Sequence, residues 1–364
     1  MKPYSAFYYV KQNKGRSALC ILMMMLASFA FIAGNYIHSV YYSFHTTCEY
    51  SDKIVRVSIE AADEDYKDYK TFKERLDNDP EVDYVEWSAR GYGAMQHNTV
   101  MNMEMGGYTF VCSSVDDLKK IFDHLGIEAD LSHCKDRSII ISKDFARAKG
   151  IKLGDKLDHT FDSCFEETFT VDALIDDGGY DSFYICEDSQ NQGRVHIFSD
   201  SMEGKELYDH VRNLIGDLKV QMTERYRDNL DPVFRPFYLI FGAVSILISV
   251  VLAVTISSVL TGQYLKRTYE YGVYRALGKS KGEVWKKVSS EILLMNLIAS
   301  VIGFAVLLLA TYLGNELYYK PKGIFLLYGS KFGLELFLLC DLLILIPLIL
   351  SKSRLMSKAD VTEF

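Results

Sequence analysis

Residues 237–261 read FYLIFGAVSILISVVLAVTISSVLT, a run of 25 residues without a charged side chain. A bilayer core about 30 Å thick is crossed by roughly 20 apolar residues of a helix that rises 1.5 Å per residue. The alternative, a buried core helix of a soluble protein, rarely contains an uncharged stretch of this length. The run therefore predicts a transmembrane helix.

Three further apolar runs have a similar length: Ser17–Tyr42, Ile292–Leu313 and Phe332–Leu350, the last interrupted only by Glu335 and Asp341. The first run is longer than the apolar region of about 7–15 residues that a cleaved signal peptide contains. It also ends in a cluster of aromatic residues, which favours the membrane interface. We therefore expect an uncleaved anchor and four spans in total.

Charge divides the chain into two environments. Residues 45–234 hold 40 acidic and 22 basic side chains, whereas the remainder holds 8 acidic and 18 basic ones. Basic residues gather before the first run, between the second and third runs, and after the fourth. Because cytoplasmic segments of membrane proteins are enriched in Lys and Arg, we expect both termini in the cytoplasm and the acidic block outside.

The predicted fold class is a membrane protein with four transmembrane α-helices and an α+β extracytoplasmic domain between spans 1 and 2. The predicted order is a cytoplasmic N-terminal segment (1–16), span 1 (17–42), the extracytoplasmic domain (43–235), span 2 (236–262), a cytoplasmic coupling loop (263–290), span 3 (291–315), an outer loop (316–331), span 4 (332–351) and a cytoplasmic tail (352–364).

Strand and helix patterns alternate within the acidic block. The pattern predicts a helix that ends at Gly126, a helix capped by Ser142 and stopped by Gly150, and one long helix from residue 204 that leads into span 2. Disulfides are possible among the five cysteines of this block: Cys48, Cys112, Cys134, Cys164 and Cys186. The block has no metal-ligand spacing and no hydrolase motif, so we expect no metal and no catalytic site in this chain.

Residues 267–291, RTYEYGVYRALGKSKGEVWKKVSSE, lie between spans 2 and 3. They do not form a phosphate-binding loop, because five residues separate Gly272 from Gly278 and that motif requires four. Instead the pattern predicts that the helix of span 2 continues through Leu277 and stops at Gly278. Ser280 and Glu283 then form a capping box that starts the next helix.

The positive charges of this stretch have two interpretations: they set topology beside anionic lipid, or they belong to a protein-binding surface. The mixture of Glu270, Tyr271, Gly272 and Tyr274 favours a protein partner. The stretch also resembles a signature of the FtsX-like permease family of ABC transporters, which includes MacB-like members. The residues that carry the resemblance are Arg267, Glu270, Gly272, Val273, Arg275, Ala276, Leu277 and Gly278, with Glu291 at the start of span 3.

The resemblance implies a non-catalytic permease subunit of the bacterial cytoplasmic membrane, which pairs with a second copy or a paralogue. ATP and Mg²⁺ are then expected on a separate ATPase subunit and no cofactor on this chain. The implied docking residues are Arg267, Glu270, Gly272, Arg275, Ala276 and Gly278. Membrane lipids and an extracytoplasmic adaptor or ligand are further possible partners, and nucleic acid is not expected.

Three functions stay open at this stage. The first is ATP-driven export or extraction of a peptide, lipid-like or hydrophobic substrate. The second is FtsX-type signalling that regulates an extracellular cell-wall hydrolase. The third is a membrane-anchored receptor without an ATPase.

The two acids of span 4 are candidates because ionisable side chains within a span are costly. We expect Asp341 to form a hydrogen bond with a polar residue of a neighbouring helix, such as Ser245, Ser249 or Thr255 of span 2, with a proton or ion path as the alternative. We expect Glu335 to reach the interface.

Overall fold

The structure is a computed structural model that describes residues 6–7, 10, 14–47, 49–58, 66–86, 96–107, 109–161, 165, 167–176, 181–187, 194–223 and 225–357. It divides into two compact units. The membrane unit comprises Met1–Ser39, Arg235–Asn315 and Leu326–Phe364, and the α+β unit comprises Val40–Phe234 and Glu316–Phe325.

Four helices among the described residues are long and apolar enough to cross a membrane, which confirms the predicted architecture. The candidate spans are Ser17–Thr46, Asp228–Leu265, Lys281–Lys322 and Lys331–Met356. The underlying helices are Lys14–Met25 and Phe29–Thr47, joined by a 3₁₀ turn at Leu26–Ser28, then Tyr226–Leu265, Lys281–Gly314 and Lys331–Ser357. The chain is therefore a multi-pass membrane protein.

Apolar side chains of all four spans share one core in the membrane unit, for example Met24, Leu260, Met295 and Ile344. Glycine permits the closest helix approach. A Cβ added to Gly34 of span 1 would lie 3.0 Å from the Gly333 nitrogen of span 4, so neither backbone could keep its place. Small residues at such crossings are typical of membrane helices, because close packing rather than water exclusion holds them together.

The α+β unit contains two sheets and a hairpin. Its strands are β1 (Ile54–Ser58), β2 (Asp83–Glu86), β3 (Gln96–Asn98), β4 (Glu104–Gly106), β5 (Thr109–Cys112), β6 (Ser138–Ser142), β7 (Lys156–Leu157), β8 (Phe169–Ile175), β9 (Ser182–Ile185), β10 (Arg194–Phe198) and β11 (Gln221–Met222). The first sheet is antiparallel with the order β11-β1-β10-β2. The second sheet is mixed, β5-β9-β6-β8-β7, and β3 pairs with β4.

Among the residues that the structure describes, five α-helices accompany the sheets: α1 (Glu49–Lys53), α2 (Tyr66–Asp77), α3 (Val115–Leu125), α4 (Lys143–Lys149) and α5 (Gly204–Ile215). The central strand β6 is buried along its whole length, because α3 shares a core with one face of the second sheet and α4 with the other. The caps follow the sequence prediction. Ser142 caps α4, and Gly126 and Gly150 end α3 and α4 with positive φ.

The predicted long helix from residue 204 into span 2 is wrong. Helix α5 ends at Ile215, and Gly216 follows with φ 58° and ψ −121°. Residues 221–222 then form β11 and pair with β1, so that Met222 lies opposite Val57. This strand supplies hydrogen bonds to one edge of the first sheet, a gain that helical periodicity along the chain does not reveal.

Cys112, Cys134 and Cys186 are free thiols. Cys112 lies in the core beneath α3, whereas Cys186 lies in the core beneath α4 on the opposite face of the same sheet. Cys112 of β5 lies opposite Ile185 of β9, and Cys186 is the next residue along the chain. Because successive residues of a strand point to opposite faces of the sheet, the two thiols lie on different faces. Cys48 and Cys164 lie outside the described residues.

Candidate functional site

The segment between spans 2 and 3 contains a short separate helix. The helix of span 2 ends at Leu265, and a second helix, the loop helix, covers Thr268–Ala276. Arg267 sits between them with φ −111° and ψ 5°. The predicted continuous helix through Leu277 is therefore wrong at the Lys266–Arg267 junction. The break coincides with the position at which the Arg267 side chain meets two carboxylates.

The predicted end of this segment is confirmed. Gly278 follows the loop helix with φ 89°, a conformation that glycine adopts without a Cβ clash. The Ser280 amide donates to Glu283 Oε2 at 2.8 Å, and the Glu283 amide donates to Ser280 Oγ at 3.2 Å. These reciprocal bonds form the capping box that begins the helix of span 3.

Arg267 connects the loop helix to span 3 through buried hydrogen bonds. Its Nη1 lies 2.7 Å from Glu291 Oε2, and its Nη2 lies 3.2 Å from Glu291 Oε1. On the other side, its Nε donates to Glu270 Oε2 at 2.9 Å. The Glu291 side chain has no exposed surface, and that of Arg267 is 9% exposed. Such a two-point contact defines the relative position of both side chains as well as their charge pairing.

Lys287 and three tyrosines complete this cluster. The hydroxyls of Tyr264 and Tyr271 donate to Glu291 Oε2 at 3.3 and 3.2 Å. The almost fully buried Lys287 Nζ lies 3.7 Å from Glu291 Oε1 and 4.0 Å from Glu270 Oε1. Two cations thus face two carboxylates, which keeps the buried cluster electrically balanced.

The third tyrosine, Tyr274, donates to Glu270 Oε1 at 3.1 Å. Burial alone would raise the pKa of Glu270, but the hydrogen bond and charge of Arg267 and the charge of Lys287 hold that pKa below its usual value. Burial and the Glu270 carboxylate raise the pKa of Tyr274 to about 12. At neutral pH Glu270 is therefore ionised and Tyr274 remains a hydrogen-bond donor.

The six docking residues predicted from the sequence have different environments. Arg267 and Gly272 are buried, and Glu270 is partly exposed beside Arg267. Arg275 is half-buried, whereas Ala276 and Gly278 are exposed. The structure brings Arg267 and Glu270 together in the charged cluster. Their part in binding a partner stays a prediction.

The sequence analysis did not identify the large apolar side chains that this segment exposes. Tyr269 is 67% exposed and Leu277 is 76% exposed, and Trp285 at the start of span 3 is also exposed. The sequence analysis also predicted no side-chain contact for Glu291, and it considered Lys287 only as one of the basic residues that set the membrane topology. No local pattern distinguishes Tyr269 from Tyr271, which is fully buried, since that difference depends on which side of the loop helix faces span 3.

The acids of span 4 have different surroundings. Asp341 Oδ2 accepts a hydrogen bond from Asn296 Nδ2 at 3.0 Å, so its partner lies on a neighbouring helix as expected, but on span 3 and not among the span 2 residues named as examples. Ser249 and Thr255 instead donate to backbone carbonyls of their own helix, at 2.8 and 2.9 Å. Glu335 is exposed, with its carboxylate 3.9 Å from Lys331 Nζ.

The α+β unit also brings together side chains of a metal-ligating type. Oxygen or nitrogen atoms of Asp79, Glu81 and His210 lie within 4.8 Å of one another. His210 Nε2 lies 2.9 Å from Asp79 Oδ2. Although burial opposes it, the Glu81 amide and His210 hold the pKa of Asp79 below its usual value. The contact joins α5 to the turn after α2, and a sequence separation of 131 residues hides it from motif analysis.

Comparison with known proteins identifies the region that carries the loop helix. The profile of the family described as FtsX-like permease C-terminal matches residues 239–359. No curated protein matches the chain. A similar solved structure is the periplasmic region of MacB from Actinobacillus actinomycetemcomitans, with 11% identity and a TM-score of 0.26, covering 50% of this chain and 92% of that one. This likeness is too distant to bear on the fold. Residues 239–359, which hold most of span 2, the loop helix and spans 3 and 4, are thus similar to the C-terminal region of FtsX-like permeases.

Proposed function

We propose that this chain is the permease subunit of an ABC transporter, on which a separate ATPase subunit docks at the segment between spans 2 and 3. ATP-driven movement of that subunit would pass through the spans to the α+β unit, for export or extraction of a peptide, lipid-like or hydrophobic substrate. One observation carries the proposal: the loop helix is bonded to span 3 through Arg267 and Glu291, yet it exposes Tyr269, with Leu277 exposed at its end.

The exposed side chains favour a protein partner. Isolated apolar residues are common on protein surfaces, but two large ones on and directly after a nine-residue helix offer apolar contact area to a partner. Exposed Lys266, Lys281 and Lys286 lie in the same segment. The matching surface on the ATPase is therefore an apolar pocket with an acidic rim.

The charged cluster suits transmission of force rather than contact with the partner. Because the Arg267–Glu291 pair is bidentate and buried, displacement of the loop helix by the bound ATPase would also displace the first turns of span 3. Glu270 strengthens this link by bonding the same guanidinium. A Glu270→Lys variant is expected to bind the ATPase but to uncouple ATP hydrolysis from movement of the α+β unit.

A second permease copy is part of the proposal. Only 17% of the most apolar stretch of span 2 is buried within this chain, so most of that stretch is available for contact with lipid or with a helix of a second copy. An added Cβ on Gly242 would meet no atom within 4 Å. This small residue supports close approach of another helix.

The test is purification of the tagged full chain from native membranes in mild detergent, with mass spectrometry of the co-purifying proteins. We expect an ATPase in stoichiometric amount with the wild type and its loss in Leu277→Asp. The matched control is Leu153→Asp, because Leu153 is 63% exposed in the turn before β7 of the α+β unit.

If the dimer stays intact and no ATPase accompanies the wild type, the permease proposal fails and the receptor hypothesis replaces it. Equal ATPase recovery with Leu277→Asp refutes the docking surface. A co-purifying cell-wall hydrolase would support signalling in place of transport.

A further inference from the structure

The connection between the α-helix of span 3, which ends at Gly314, and the helix of span 4, which begins at Lys331, contributes to the α+β unit. Residues Glu316–Phe325 belong to this unit and pack against α4. Gly323, at φ 69°, makes the close approach: an added Cβ would lie 2.5 Å from the Asp144 carbonyl oxygen and 2.7 Å from Ala148 Cβ. The connection is therefore fitted to α4 rather than merely linking two spans.

A cavity of about 270 Å³ lies beside this contact. Its walls come from the turn between β3 and β4, from the end of α4 and from the connection, and they include Asn98, Asn102, Lys149, Tyr318 and Lys322. None of the lining residues carries a carboxylate. Lys149 belongs to the acidic block, which has 18 more acidic than basic side chains, and Lys322 belongs to the connection, so the cavity combines one lysine from each segment with no acid.

The carboxylates of the neighbouring helix and connection are paired with other cations. Asp144 lies 3.0 Å from Arg147, and Glu316 pairs with Lys320. Lys322 Nζ lies 3.7 Å from the centroid of the Tyr318 ring, and Lys149 Nζ lies 5.9 Å from that of Phe145. Within the described part of the chain, neither Lys149 nor Lys322 forms an ion pair. The two ammonium groups are therefore available to an anion.

The surroundings of the cavity indicate a lipid. Leu317, Tyr318 and Phe325 are 78%, 55% and 40% exposed, on a short connection between two membrane helices. Exposed leucine and phenylalanine next to tyrosine and lysine are typical of a segment at the membrane interface.

We propose that this cavity binds the phosphate headgroup of an anionic phospholipid from the leaflet that faces the α+β unit. Lys149 and Lys322 neutralise the phosphate, and Asn98 and Asn102 offer amide donors to the remaining headgroup oxygens. The acyl chains remain in the bilayer beside Leu317 and Phe325. The proposal does not depend on ATPase docking, which concerns the segment between spans 2 and 3.

The test uses the purified full chain in detergent and native mass spectrometry during titration with short-chain phosphatidylglycerol. Parallel titrations use short-chain phosphatidylcholine and inorganic phosphate. Phosphatidylglycerol is expected to bind most tightly and to bind on the order of tenfold more weakly to the Lys149→Gln/Lys322→Gln variant. The matched control is Lys119→Gln/Lys205→Gln, which removes two exposed lysines from α3 and α5.

Gly323→Val provides a second variant, because it displaces the cavity wall without changing any charge. It is expected to weaken phosphatidylglycerol binding while circular dichroism remains that of the wild type. Equal loss of binding in the control variant, or equal affinity for phosphatidylcholine, would overturn the site. Inorganic phosphate that binds as tightly as phosphatidylglycerol would overturn the lipid assignment in favour of a free-anion site.

Discussion

Replacing Glu291 with Gln should release the loop helix from span 3. The glutamine has nearly the same shape, but it removes the charge that faces Arg267 and Lys287 and places an amide donor among their N–H groups. Loss of one partner of a buried ion pair costs about 3–5 kcal/mol. We expect the lower end, about 3 kcal/mol, because Arg267 keeps its bonds to Glu270 at 2.9 and 3.2 Å.

The assay is hydrogen–deuterium exchange of the peptide that covers Thr268–Ala276, with the protein in nanodiscs. An opening free energy lowered by about 3 kcal/mol raises the exchange rate by at least about a hundredfold. Glu283→Gln is the control, since the Glu283 side chain is 44% exposed and bonds the Ser280 amide and Lys279 outside the Arg267–Glu291 pair.

A double variant, Arg267→Met/Glu291→Leu, separates loss of charge from loss of packing. Replacement of a whole buried pair by apolar side chains of similar volume is often neutral, so this variant should recover much of the protection. Unchanged exchange in Glu291→Gln, or equal acceleration in Glu283→Gln, would refute the inference that the buried pair holds the loop helix.

Three further outcomes are expected. Gly278→Ala should destabilise the end of the loop helix by about 1–2 kcal/mol, because its φ of 89° disfavours a Cβ, and faster exchange of the following amides would show it. Although burial opposes it, Arg267 and Lys287 hold the pKa of Glu270 below its usual value, so the contribution of Glu270 to stability is complete above the usual glutamate pKa and is lost as the pH falls through the lower pKa of the folded state. Hydrogen-exchange protection of the loop helix, corrected for the intrinsic exchange rate, should fall in that pH window. Asn296→Leu removes the partner of Asp341 and should lower the stability of the helix bundle by about 1–2 kcal/mol in detergent unfolding, and an unchanged midpoint would show that this bond contributes nothing.

Local rules accounted for much of the fold. The four spans follow from the length of the apolar runs and from their lack of charge. A helix that crosses a bilayer must pair all of its backbone N–H and C=O groups and can carry few charged side chains. The caps at Ser142, Gly150 and Ser280 follow from side-chain oxygens and from the conformational freedom of glycine, both of which act within a few residues. Spans and helix caps depend on residues that are close together along the chain, so they can be predicted from the amino-acid sequence.

The errors occurred where distant residues compete with local preference. The segment after Gly216 has helical periodicity, but Met222 gains sheet hydrogen bonds opposite Val57, more than 160 positions earlier. The helix of span 2 stops before Arg267 at the point where that side chain reaches Glu291, 24 positions later. In both cases the deciding bonds are long-range, and periodicity measures only short-range order.

The amino-acid sequence by itself predicted four membrane spans, the position of the polar loop and the resemblance of that loop to a permease signature, because hydrophobicity, charge and short motifs are properties of contiguous residues. Only the tertiary structure decided which face of the loop helix is buried. Tyr271 and Gly272 face inward with Arg267, whereas Tyr269 and Leu277 remain exposed. That choice depends on where Glu291 and Lys287 of span 3 lie in space, since burying a guanidinium is favourable only beside its carboxylates.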